Sequence, residues 1–482
     1  MTPTEAAPDR RWIALILLCV SQFVVVLDAS IVNVALPTIG GALKFSESNL
    51  PWVVNAYVLT FGGFLLLGGR MADLLGRRRV FISGLVLFAV ASLAGGFATT
   101  AGQLIAARAV QGLGAALLSP AALSIVTTTF RDGAERNRAL GVWGAVAGSG
   151  GAAGVLLGGG LTDGLGWEWV LWVNVPIGLI AALVAPTLIA ESRSEGKRRH
   201  FDFPGAVTIT AGLSVLVYAL LDANSAGWGS AQTILLLAVS ATMLAGFFFT
   251  ERRSAAPLVP FRIFRLGTLR GANVVGVLVG ASLFSMFYFI SLYMQQVLGY
   301  SAIKAGLSYL PLAISIIVSA GIASQLVTRV GFKNVMAIGM VLIAAALVWF
   351  SQIAVHGTFV SDILGPSLLA AVGLGFAFVT TTIAAVSGVD DREAGLASGL
   401  INTSQQVGGA LGLALLSAVS TSVIGSSHSP SVLTDGFRDA FLAGAGLAVA
   451  GLVATVLLIR GRDSRAHVEL GDGPAAAEQA AG

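Results

Sequence analysis

Asp28 and Arg108 are the only charged residues well inside the long apolar stretches of this 482-residue chain. An ionisable group in hydrocarbon is expensive, and it marks an ion or substrate pathway. An acid and a base at similar depth could together take up and release a proton. Desolvation favours the neutral carboxyl and a nearby cation favours the carboxylate, so proton occupancy of Asp28 would follow its distance from Arg108. Two plainer readings stay open. The pair could be a purely structural ion pair. Alternatively Arg108, about five residues from the outer end of its stretch at roughly 1.5 Å per residue, could snorkel to the membrane surface.

The elements that must hold these residues are membrane helices. Apolar residues make up 56% of the chain and charged residues 11%, against about 25% charged in a soluble globular chain. Glycine is abundant, at 60 residues, as close helix packing in lipid requires. A window of roughly 20 residues predicts about fourteen spanning helices. They lie near 12–36, 51–69, 80–99, 103–130, 138–162, 169–190, 204–222, 231–250, 271–297, 302–328, 334–354, 362–387, 394–424 and 438–460. Loop charge sets the orientation. Of 28 Lys and Arg residues, Lys44, Lys304 and Arg438 alone fall on the outer side and Arg108 in a helix. The remainder lie in loops on the other side, which puts both termini in the cytoplasm. The apolar run after Arg10–Arg11 continues into Asp28 and Asn33 with no small-residue cleavage site, so it reads as a retained first helix rather than a signal peptide. The tail after Arg460 has the composition of a flexible segment.

The composition also excludes several chemistries. One cysteine, Cys19, allows no intrachain disulfide and no cysteine metal cluster. The four histidines, at 200, 356, 428 and 467, have no ligand spacing, so no metal and no cofactor is expected. There is no Gly-Lys-Ser/Thr phosphate loop, and the glycine clusters sit inside apolar stretches, where helix packing is the better reading. The net charge of +4 is concentrated in loops as an orientation signal, so no nucleic acid is expected. The expected partners are the bilayer, protons and a small-molecule substrate, with the chain acting as a monomer.

The sequence repeats itself. Gly141, Gly150, Gly151 and Gly154 share the spacing of Gly399, Gly408, Gly409 and Gly412. Gly112-Leu113-Gly114 is echoed by Gly373-Leu374-Gly375. The stretch Asp73-Leu-Leu-Gly76-Arg-Arg78 is echoed by Thr328-Arg-Val-Gly331-Phe-Lys333. Two parallel six-helix repeats with a site between them at mid-membrane are a known transporter plan. The division expected is a first bundle over 1–202, an inserted helix pair over 203–250, and a second bundle with a flexible tail over 251–482.

Four motifs carry a family resemblance. Gly69-Arg-Met-Ala-Asp73-Leu-Leu-Gly76-Arg77-Arg78-Arg79 resembles the loop signature of the major facilitator superfamily. Gly76 permits a tight turn, and Asp73 can pair with an Arg or a helix N-terminus. The resemblance implies a gating latch, the alternative being an orientation-setting basic loop. Arg108-Ala-Val-Gln111-Gly112 resembles the superfamily's Arg-x-x-Gln-Gly motif, implying proton transfer. Leu27-Asp28-Ala-Ser-Ile-Val-Asn33-Val-Ala-Leu-Pro37 resembles the first-helix signature of the fourteen-helix drug:proton antiporters. Gly141, Gly150, Gly154, Gly158 and Gly159 match the spacing of the antiporter helix-packing motif, but Val155 replaces its proline and removes a kink. Gly166-Trp-Glu168-Trp-Val-Leu-Trp172-Val-Asn174-Val-Pro176 and Pro257-Leu-Val-Pro-Phe-Arg262-Ile-Phe-Arg265 resemble two further stretches of the fourteen-helix group, with Glu168 where a base is usual.

The resemblance implies a bacterial inner-membrane protein, not an enzyme, that exports hydrophobic or amphipathic compounds in exchange for protons. Candidate cavity-lining residues are Gln22, Asn33, Asn55, Tyr57, Trp143, Phe284, Tyr288, Tyr293, Asn402 and Gln405. Each could equally be helix glue or packing. An aromatic and amide lining with one acid suits amphipathic, possibly cationic molecules. The alternatives are a dedicated exporter of one metabolite, an importer (which Val155 leaves open), or a membrane sensor that moves nothing.

Overall fold

The computed structural model describes residues 8–45, 49–50, 52–130, 133–192, 202–254, 257–425 and 429–464. The described residues are helical, with no β-strand. Fourteen long helices follow one another: α1 (Pro8–Ala42), α2 (Trp52–Leu75), α3 (Arg77–Gly96), α4 (Ala101–Thr129), α5 (Ala134–Gly164), α6 (Asn174–Leu188), α7 (Phe203–Ala226), α8 (Ala231–Arg253), α9 (Gly267–Leu292), α10 (Leu310–Val330), α11 (Phe332–Phe350), α12 (Gly365–Val386), α13 (Ala394–Ile424) and α14 (Pro430–Leu458). Among the described residues, twelve stretches are long and apolar enough to cross a membrane. Two of the helices expected to cross are not among the twelve: α5, rich in glycine and charged at its first turn, and α7, whose apolar part Pro204–Leu220 is short. Large apolar side chains stand exposed around the outside, among them Leu183, Phe249, Val360 and Leu457. Such a belt is intelligible only against lipid.

Several boundaries move from their expected places. α1 runs to Ala42 because Pro37 is accommodated inside the helix. α8 reaches Arg253, so the expected boundary at 250 cuts its last turn. α14 begins at Pro430 rather than 438, a proline at the helix start costing nothing. The expected helix over 169–190 is one span, Trp169–Leu188; its turn Trp169–Trp172 runs into α6 through Val173, whose backbone stays helical (φ −56°, ψ −29°). The flexible tail expected after 460 lies mostly outside the described residues; Arg460 to Ser464 turn back onto the second bundle.

Contacts between ends put both described termini on one face. Arg11 at the start of α1 pairs with Glu135 at the start of α5, and Trp12 packs on Phe130 after α4. Ser464, beyond α14, lies over Gly331 between α10 and α11.

The repeat is structural as well as sequential. Gly76 (φ 111°) and Gly331 (φ 80°) hold positive-φ turns before α3 and α11, and neither supplies a side-chain cap. In each half the chain beyond the sixth helix returns to supply it. Glu191 accepts the backbone N–H of Arg78 at 3.2 Å, and Ser464 accepts that of Lys333 at 3.1 Å.

The halves meet along two crossings. α2 lies on α13, where a Cβ on Gly69 would strike the carbonyl of Gly395. α5 lies on α10, where a Cβ on Gly141 would sit 2.6 Å from that of Ser324. The inserted pair is built into the first crossing. Ser214 and Val217 of α7 pack on Gly63 and Gly62 of α2, and Leu66, Ile209, Leu213, Phe247, Leu396 and Leu400 share one apolar cluster.

Candidate functional site

The site is assembled from five helices of the first half. Glycines make the approach possible. A Cβ on Gly154 would lie 2.8 Å from the Leu27 carbonyl, and one on Gly158 2.8 Å from that of Ile31. Thus α5 touches the backbone of α1 on either side of Asp28. Gly112 leaves room for the backbone of α2 at Tyr57, and Gly114 for that of α3, 2.7 Å from the Phe88 nitrogen. Small residues therefore draw α1, α2 and α3 around α4, and α4 carries Arg108 and Gln111.

Asp28 and Arg108 are both fully buried, so the snorkelling alternative does not hold for Arg108. Arg108 Nη1 donates to Asp28 Oδ2 at 2.5 Å and to Gln111 Oε1 at 2.7 Å. Its Nε donates to the Val53 carbonyl at 3.0 Å. The guanidinium carbon lies 4.4 Å from the centre of the Tyr57 ring, a cation–π contact, while Tyr57 donates to the Val25 carbonyl. The second carboxylate oxygen is held by amides. Gln111 Nε2 and Asn174 Nδ2 each donate to Asp28 Oδ1 at 2.8 Å. Both amides also donate to Ser92 Oγ, at 3.0 and 3.1 Å, and Ser92 donates to the Leu171 carbonyl at 2.8 Å. Every polar neighbour of the carboxyl is therefore a donor, the surroundings an ionised carboxylate needs. A buried pair with such support holds its geometry, but its desolvation cost makes it a poor source of stability.

The gating loop forms a second polar centre, at the inner end of α2. Asp73 is fully buried. It accepts the N–H of Gly395 and of Leu396, both at 2.9 Å, so its two oxygens cap the start of α13 in the other half. Arg77 Nη2 donates to Asp73 at 3.1 Å. Arg78 and Arg79 face Glu191 at 3.8 and 3.6 Å. With Gly69 against Gly395 and Gly399, the halves are clamped at the inner face. Nearby, Arg70 donates to the Pro257 carbonyl, and Glu251 accepts the N–H of Leu258 and Val259.

Of the ten expected lining residues, only Tyr57 meets the Asp28 site. Gln22 and Trp143 are buried. Tyr293 is buried too, and donates to the Ala354 carbonyl at 2.6 Å in a structural bond near the outer face. Asn33 is exposed and donates to its own helix at Ala29; Asn402 does the same at Ser398. Asn55 and Gln405 are half-buried. Phe284 and Tyr288 are each 43% exposed. Of the packing glycines, Gly159 faces Ile303 of the second half near the outer face. Backbone α5 runs unbroken through Val155.

Sequence reasoning missed Ser92 and did not bring Asn174 to the site. A serine in an apolar run carries no charge to flag it. The only available signal was that hydroxyl and amide groups inside membrane helices need partners. Glu191 was missed for a different reason, since it was read as part of a linker.

Comparison with known proteins identifies the family. Residues 18–413 match the Major Facilitator Superfamily profile. The chain is 43% identical over 447 residues to the cephamycin export protein of Amycolatopsis lactamdurans, covering 92% of this chain and 91% of that one. It is 38% identical over 469 residues to the puromycin resistance protein of Streptomyces alboniger, covering 95% and 93%. The fold resembles that of the human organic anion transporter seen by crystallography, with a TM-score of 0.68 at 14% identity over 93% of this chain and all of that one. It also resembles a proton:xylose symporter, with a TM-score of 0.65 at 13% identity over 92% and 95%. The buried Asp28–Arg108 pair, the Asp73 latch and the paired six-helix repeat are thus those of a membrane transporter, and the chain belongs to the Major Facilitator Superfamily.

Proposed function

We propose that this protein is a proton-coupled exporter of hydrophobic or amphipathic small molecules, working as a monomer in the bacterial inner membrane with fourteen crossings. The observation that carries the reading is the Asp28 carboxylate, buried without exposure and ringed by donors from α4 and α6. A proton arriving from outside cancels the charge that holds Arg108. The guanidinium is then left without its counter-ion, and the α1–α4 packing loses its tightest contact. With the inner face clamped through Asp73, this is the arrangement in which the outer side would exchange protons for substrate. Release of the clamp and rocking of the halves would turn the site inward.

The deciding experiment uses everted membrane vesicles with ethidium as the amphipathic cation. Wild type should alkalinise the lumen in step with ethidium uptake, because a proton leaves as substrate enters. Asp28→Asn should lose that proton movement. Full proton exchange in Asp28→Asn rules the mechanism out.

A narrower reading, export of one compound or a small group of compounds, is favoured by the relatives named above, each designated by a single antibiotic. A pump-deficient host expressing this chain, grown against unrelated toxic compounds, separates broad from narrow range.

A further inference from the structure

Ser92 uses all of its hydrogen-bonding capacity. It accepts from Gln111 Nε2 and Asn174 Nδ2 and donates to the Leu171 carbonyl. A hydroxyl offers one donor and two acceptor sites, so its proton cannot turn without breaking the bond to Leu171. That carbonyl lies in the turn Trp169–Trp172, which runs into α6 at Asn174. The one acceptor at the site with no partner is Asn174 Oδ1, which is buried. Its amide nitrogen is bonded to Asp28 while its oxygen bonds to nothing. A buried acceptor left unpaired is costly, and it calls for an explanation.

We propose that Asn174 and Ser92 are positioning residues that convert the charge of Asp28 into a movement of the turn Trp169–Trp172, which leads into α6. The inference rests on Asp28 being the proton carrier. With Asp28 ionised, Asn174 offers its N–H groups, as observed. One proton added to the carboxylate, with no covalent bond broken, creates an O–H that needs an acceptor. Turning the Asn174 amide presents Oδ1 to that O–H and withdraws a donor from Ser92. The Ser92 hydroxyl then swings from Leu171 to the amide, and the turn Trp169–Trp172 is released. Among the described residues, the titratable or charged groups facing Asp28 are Arg108 from α4 and Tyr57 from α2. α3 presents Ser92, α6 presents Asn174, and α5 presents its glycine stripe.

The test needs no substrate. Backbone hydrogen–deuterium exchange of the 166–174 segment is followed in the purified full-length protein from pH 5 to 9, corrected for intrinsic rates. Wild type should exchange about tenfold faster on the acid side, equivalent to roughly 1.4 kcal/mol of lost protection. Ser92→Ala should exchange fast at every pH. Asn174→Leu should lose the pH response, and Ser92→Thr, which keeps the hydroxyl, should restore it. Monodisperse elution and an unshifted exchange pattern in α9–α14 mark a folded variant. Asp28→Asn should be insensitive to pH. A full wild-type response in folded Ser92→Ala and Asn174→Leu, with none in Asp28→Asn, overturns this inference and spares the proton-carrier reading. Ser92→Thr behaving as Ser92→Ala also overturns it. A retained response in Asp28→Asn removes the proton-carrier reading itself.

Discussion

Asp73 in α2 and Gly395 at the start of α13 are 322 residues apart in the chain and 2.9 Å apart in space, carboxylate to backbone N–H. With Leu396 as the second donor, a side chain of one half completes the unfinished end of a helix in the other. A helix N-terminus has free N–H groups and a positive end of its dipole, so the seam is closed by a directed, charge-assisted bond.

Asp73→Asn should loosen that closure. The amide keeps the shape but offers one acceptor oxygen and no charge. A cap of this kind is worth about 0.5–2 kcal/mol, so the ratio of inner-closed to inner-open protein should fall by roughly 2- to 30-fold. The rate of hydrogen–deuterium exchange at the start of α13, where Gly395 and Leu396 give their N–H groups to Asp73, reports the change. An unaltered rate means that the closure is held elsewhere.

Glu191 and Ser464 should be equivalent in kind and unequal in size. Each caps an uncapped helix start from beyond a sixth helix. Glu191 also faces Arg78 and Arg79, though those pairs are partly exposed and contribute little. Glu191→Ala should therefore lower the detergent melting temperature somewhat more than Ser464→Ala, each by the equivalent of about 1 kcal/mol. Equal, near-zero shifts would leave the capping without energetic weight.

Glycine positions can be tested in pairs. At Gly154 a methyl group would press on the Leu27 carbonyl at 2.8 Å, next to Asp28, whereas at Gly151 and Gly160 it would meet open space. Gly154→Ala should cost about 1–3 kcal/mol through overpacking and impair proton exchange by displacing α1. Gly151→Ala and Gly160→Ala should be neutral or slightly stabilising, since alanine is the better helix former by about 1 kcal/mol. Loss of melting temperature and of proton exchange in Gly154→Ala alone is the outcome expected.

The helices and their order were legible in the sequence because hydrocarbon imposes long apolar runs. The Asp28–Arg108 pair was legible because charge inside such a run is rare. The duplication was legible as glycine spacing, because only glycine lets backbones touch. Ser92, by contrast, became part of the site only when Gly84 and Gly114 brought α3 against α4. Asn174 did so only because α6 packs on both α1 and α3. The lining residues were the least legible. Tyr293 and Trp143 are apolar enough to pack in a core, and only tertiary placement separates a core aromatic from one that faces a substrate. The role of the inserted pair was equally hidden, because Ser214 and Val217 gain meaning only against Gly63 and Gly62 of α2.

The ion pair itself admits the sharpest energetic test. Arg108→Ala leaves a buried carboxylate without its cation, which costs about 3–5 kcal/mol in a folded protein. Asp28→Asn leaves the cation, but Val53, Gln111 and Tyr57 still hold it, so its cost should be smaller. Asp28→Asn combined with Arg108→Ala removes both charges together. The double variant should therefore melt higher than Arg108→Ala and close to wild type, while transporting no protons. The melting temperatures of the three variants, read beside vesicle proton exchange, separate what the pair does for stability from what it does for coupling. Additive losses in the double variant would mean that the two side chains do not act as one unit.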